Sequence, residues 1–94
     1  MPTKDPYKHL TGSVIFVNIF GNGPHSALLQ FNVRPAKGEP VSFAVLAYPS
    51  TEPQVFIALA GLVTAASISK QDVTVDYEIQ ADGINRAVGV NIKS

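Results

Sequence analysis

Apolar and β-branched residues run from Gly12 through Phe20 and stop at Gly21-Asn22-Gly23-Pro24, where Gly and Asn tolerate positive φ and Pro blocks further ladder pairing. The pattern predicts a strand and a turn. Ala27, Leu29, Phe31 and Val33 then alternate with Leu28, Gln30, Asn32 and Arg34, the period of a strand with one buried face. Pro35 to Pro40 reads as a loop. Val41, Phe43, Val45 and Ala47 alternate with Ser42, Ala44, Leu46 and Tyr48 in a third strand, which Pro49 ends. Thr51-Glu52-Pro53-Gln54 has the form of a capping box, with Pro53 in the first turn where its missing N–H costs nothing, so a helix is expected from here to about Ser67. Beyond it, Val73, Val75, Tyr77 and Ile79 are expected to face inward, with Asp72, Thr74, Asp76 and Glu78 toward water. Ala81-Asp82-Gly83 turns the chain into a last strand, in which Ile84, Arg86, Val88, Val90 and Ile92 are expected on the inner face. The predicted order is β-β-β-α-β-β.

The helix departs from the pattern of a surface helix. One apolar stripe would suffice to cover a small barrel, yet Val55, Phe56, Ile57, Leu59, Leu62 and Val63 spread around the circumference, with Ala58, Ala60, Gly61, Ala65 and Ala66 between them. Its outer face is therefore expected to be buried too. Small residues at Ala58, Gly61 and Ala65 let a neighbouring helix approach closely, so Phe56, Ala58, Leu59, Gly61, Leu62 and Ala65 are the candidate oligomer interface.

Composition sharpens this expectation. The chain has 94 residues, and its charged side chains are 15%, against roughly 25% in an average soluble domain. A chain of this length buries only about 60–65% of its unfolded surface by itself, which leaves apolar residues such as Val14, Phe16 and Phe20 needing cover. Seven basic and seven acidic residues give zero formal charge, so the electrostatic footprint of a nucleic-acid or acidic-membrane binder is missing. Without Cys there is no disulfide, no thiolate zinc site and no thiol nucleophile. The longest apolar stretch, Val55 to Ala66, is shorter than the roughly 20 residues that span a bilayer, and no transmembrane segment is expected. Residues 1–11, with two prolines and several polar side chains, read as a flexible arm ahead of a single domain over 12–94. The expected location is the cytoplasm for the chain as written, or outside the cell where an export signal has been removed.

Three strands, a helix and two strands make the element order of the OB-fold, a five-stranded Greek-key barrel whose closure also removes exposed strand edges. The expected class is thus mainly β with one helix in an OB-fold-like barrel, the alternative being an open α+β sheet. Gly12 and Gly89 fall where the outer strands need a sharp bend to close it. The segments Gly12-Ser13-Val14-Ile15-Phe16-Val17, Phe56 to Ser67, Val73-Thr74-Val75-Asp76-Tyr77 and Ile84 to Ile92 resemble small bacterial OB-fold proteins related to the B subunits of AB-type toxins. The resemblance spans most of residues 12 to 92. It implies a symmetric ring, commonly a pentamer, whose helices line the centre and whose outer surface binds glycans. The cysteine pair often present in those subunits is absent here, and without Trp the sugar-stacking aromatics are limited to Tyr7, Tyr48 and the phenylalanines.

Candidate chemistry is sparse. His9 and His25 are the imidazole bases, and neither lies in a catalytic motif; His9 belongs to the arm and His25 to a hairpin tip. Asp76 and Glu78 share a strand face, where a solvated surface accounts for them. Arg86, expected near the inner face, calls for a partner among Asp76, Glu78 and Asp82. No catalytic residue, metal ligand or cofactor is assigned. OB-folds meet ligands at the loops joining strands one to two and four to five, which makes Asn22, His25, Asp82 and Asn85 the candidate ligand-binding residues. The reading is a non-enzymatic ring-forming binding or scaffold module. The alternatives are a single-stranded nucleic-acid binder stacking bases on Phe16, Phe20, Phe43 and Tyr48, disfavoured by neutrality, and a small enzyme with an intersubunit site built from Asp76, Glu78 and the histidines.

Overall fold

The computed structural model describes residues 7–21, 27–46 and 53–92. Its elements follow the expected order: β1 (Lys8–Gly21), β2 (Ala27–Pro35), β3 (Val41–Leu46), α1 (Pro53–Ser69), β4 (Asp72–Ile79) and β5 (Asn85–Ile92). The strands close into a barrel in the order β1-β2-β3-β5-β4, so the open-sheet alternative is excluded. Asn22, His25, Tyr48 and the capping residue Thr51 lie outside the described residues.

Closure depends on β1 serving two neighbours. Its first half, Lys8 to Ser13, pairs antiparallel with β4, and from Gly12 onward it pairs with β2. Gly12 belongs to both ladders, opposite Val73 on one side and Pro35 on the other. A Cβ there would lie 2.2 Å from the Arg34 carbonyl oxygen, so only glycine permits this approach. Just beyond, Ile15 is an extra residue between the Val14–Val33 and Phe16–Asn32 pairs, a bulge that adds to the bend. Residues 8–11 are therefore part of the barrel and not an arm. His9 Nδ1 lies 2.6 Å from Asp76 Oδ1, followed by a Thr11–Thr74 hydroxyl pair at 2.9 Å and Ser13 Oγ donating to Asp72 Oδ1 at 3.1 Å.

The interior is filled from every strand and one stripe of the helix. Leu29, Phe31, Val33, Phe43, Val45, Val73 and Val75 are buried, with Phe31 stacked on Phe43 at 5.4 Å and Tyr77 meeting Phe43 edge-on at 4.9 Å. Phe56, Leu59, Val63 and Ala66 complete the core from α1 at three- and four-residue spacing. The helix runs two residues past Ser67 and ends in a reverse turn, with Lys70 at φ 59° and the Gln71 N–H donating to the Ala66 carbonyl at 3.2 Å.

The inward assignments of Arg86, Ile79 and Ile84 change, Ile84 being 48% exposed where the turn enters β5. In β5, Gly89 faces Asp76 and Ala87 faces Tyr77, so Val88 is an extra residue that reverses the alternation. Ala87 and Val90 are the buried residues, and Arg86 is on the outer side with its guanidinium 3.3 Å from Glu78 Oε1. Ile79, at the end of β4, projects beyond the barrel and is exposed.

Candidate functional site

The strand register places Phe16, Asn18 and Phe20 of β1 on the same outer face as Asn32, Gln30 and Leu28 of β2. Ser42, Ala44 and Leu46 of β3 continue the same rows. One end of this face is a row of large apolar side chains, Phe20, Leu28 and Leu46, with Phe20 and Leu46 49% and 47% exposed. In the middle row Ala44 lies between Gln30 and Arg86, the latter its partner in the short parallel contact that joins β3 to β5. A methyl group among longer neighbours leaves a hollow. The result is a cleft of about 460 Å³, with Gln30, Ser42 and Ala44 on one side and the β4–β5 turn on the other.

That turn is held by its own backbone and by Asp82. The Gln80 N–H donates to the Ile84 carbonyl and the Gly83 N–H to the Gln80 carbonyl, both at 2.9 Å. Asp82 Oδ1 accepts from the Ile84 N–H at 3.0 Å, and Gly83 takes the positive φ of 86° that the turn requires. Asn85 Nδ2 donates to the Ser42 carbonyl at 3.1 Å, which extends the β3–β5 junction beyond its backbone pairing. Ser42 Oγ in turn donates to Asn32 Oδ1 at 2.8 Å.

Asp82 and Asn85 thus meet in one cleft, and each also fixes its wall. The other two expected ligand-binding residues, Asn22 and His25, lie outside the described residues. Gln30, Gln80 and the small floor residue Ala44 were not among the candidates, because their roles follow from strand register and from a turn conformation. Phe43, considered for base stacking, is fully buried in the barrel and offers no exposed ring. His9 and Asp76 form a pair on the opposite ladder, away from the cleft lining. Among the described residues no group of three His, Asp or Glu side chains is arranged to hold a metal ion.

The proposed interface set divides in two. Phe56 and Leu59 point into the subunit's own core and are unavailable to a neighbour, because they fall on the stripe that the barrel covers. Ala58, Gly61 and Ala65 are exposed and Leu62 is half-buried. On the same uncovered side of the helix Ile57 and Ile68 are 70% and 78% exposed, and the helix has no ionisable residue along its length. No helix of the described residues is long and apolar enough to cross a membrane.

No protein-family model and no curated protein matches the chain. Among solved structures it is similar to a mutant of the Salmonella typhi PltB homopentamer, with 18% identity and a TM-score of 0.76 over 95% of this chain and 87% of that one. A second PltB homopentamer mutant, with Neu5Ac-alpha-2-3-Gal-beta-1-4-GlcNAc glycans, is 17% identical with a TM-score of 0.77 over 97% of this chain and 89% of that one. At these identities the likeness is one of fold. The closed barrel with one helix, implied by the resemblance to pentameric toxin B subunits, is the architecture observed.

Proposed function

We propose that this chain is a non-enzymatic binding subunit that assembles with copies of itself into a closed ring, five being the expected number, and binds a glycan in the cleft beneath the β4–β5 turn. The observation that carries the reading is the whole-chain likeness to subunits of a homopentamer that has been seen with glycans. The physics of the isolated subunit supports it independently. Exposed Ile57 and Ile68 on a helix without charges form an apolar surface that a monomer leaves in water. Burying large aliphatic side chains of this kind contributes about 1.5–3 kcal/mol each. A ring repeats that contribution at every subunit boundary.

The cleft is suited to binding rather than to catalysis. Among the described residues its ionisable side chains, Asp82 and Arg86, are engaged with the turn backbone and with Glu78, and no nucleophile–base pair of described residues lines it. Native mass spectrometry and light scattering test the assembly, with a pentamer as the expected species at micromolar concentration. A monomer under those conditions overturns the ring.

A further inference from the structure

The cleft's polar groups separate into those already engaged and those still available. Asn85 holds the Ser42 carbonyl, Ser42 holds Asn32, Asp82 holds the Ile84 amide, and Arg86 is paired with Glu78. The side-chain carboxamides of Gln30 and Gln80 have no hydrogen bond among the described residues. Both residues are half-buried, one on the outer face of β2 and the other where β4 enters its turn. A carboxamide both donates and accepts, which matches a sugar hydroxyl and gives no preference for charge. Leu28, Leu46 and Ile84 supply aliphatic surface along the same cleft, against which the C–H face of a pyranose ring can rest.

An acidic sugar meets a less favourable site. Among the described residues the cationic side chain in the lining is Arg86, already beside the Glu78 carboxylate, and the Asp82 carboxylate also lines the cleft. An incoming carboxylate would compete with Glu78 for the guanidinium and would face the Asp82 carboxylate of the lining. We infer that the cleft selects neutral saccharides over acidic ones, with Gln30 and Gln80 as the recognising groups and Ala44 providing the space. This inference rests on the glycan-binding reading above and specifies its ligand class.

A titration of isotope-labelled protein, followed by its backbone amide signals, with Gal-β1-4-GlcNAc and with Neu5Ac-α2-3-Gal-β1-4-GlcNAc separates the possibilities. The neutral disaccharide is expected to shift the Gln30, Gln80 and Ile84 signals, and the sialylated trisaccharide to bind there about tenfold more weakly or worse. Gln30→Ala and Gln80→Ala should each weaken the disaccharide about tenfold, the loss of one hydrogen bond to a desolvated partner. Ala44→Leu should abolish the shifts by filling the floor while leaving the remaining spectrum folded. Equal or tighter binding of the sialylated sugar in the cleft overturns the selectivity and leaves the glycan reading standing. Shifts confined to another surface overturn the cleft as the site, and with it that part of the reading above, and leave glycan binding by the subunit standing. No shift from either sugar overturns both.

Discussion

Gly12 shows how one residue sets the barrel. It is the position where β1, still paired with β4, begins to pair with β2 as well, and the backbone of Arg34 comes so close that a methyl group would overlap its carbonyl oxygen at 2.2 Å. Backbone atoms cannot move aside as a side chain tip can, so the ladder itself must shift. Gly12→Ala is expected to cost about 1–3 kcal/mol, the range for overpacking, and to lower Tm by about 4–8 °C per kcal/mol in a domain of this size. Gly21→Ala is the control, since a Cβ at Gly21 meets nothing within 4 Å. Thermal unfolding of both variants checks this, and equal Tm values would show that the close approach is not rigid.

The elements were legible in the sequence to different degrees, for reasons that individual residues make plain. β2, β3 and β4 alternate cleanly because each presents one face to the core, and α1 declared itself through Pro53 and its run of small and apolar residues. Two features were not legible. His9-Leu10-Thr11 has the polar look of a terminal arm, but its polar groups are satisfied by Asp76 and Thr74 across the ladder, a partnership visible only once β4 is in place. In β5 the apolar residues Val88 and Val90 suggest one uninterrupted face, whereas the bulge at Val88 moves Ala87 inside and Arg86 outside. The cleft shares this limitation, because Gln30 and Gln80 are far apart in the chain and come to one cleft through the register of four strands.

The unmatched side of α1 leads to a test at the level of the element. Ile57 and Ile68 touch little of their own subunit, so replacing Ile57 by Lys should leave the monomer fold and its circular dichroism nearly unchanged, within about 0.5 kcal/mol. In the ring the same change places a charge on each copy in an apolar seam, which is expected to shift the species seen in size-exclusion chromatography from ring to monomer. The wild-type ring should keep its size as salt is raised, since the helix contributes no charges to screen. An Ile57→Lys protein that still assembles would place the interface elsewhere on the barrel.

At the scale of the whole molecule, the barrel closes where β3 and β5 meet, through the Ala44–Arg86 contact and the Asn85 hydrogen bond to Ser42, and the proposed ligand sits over that junction. Two carboxamides and an aliphatic wall make a weak single site, because among the described residues no aromatic platform lines the cleft from its surface side. Such a site becomes useful when copies act together, since linking sites in a rigid ring can raise apparent affinity by about 10²–10⁴ without any new contact. The expected signature is a separation of two measurements. Ile57→Lys, with its cleft unaltered, should match the wild type in per-site affinity for soluble Gal-β1-4-GlcNAc. On a surface densely coated with the same sugar it should be retained about 10²-fold less well, as followed by surface plasmon resonance. If the monomeric variant holds that surface as firmly as the ring, the barrel works as a single binding domain and assembly serves another purpose.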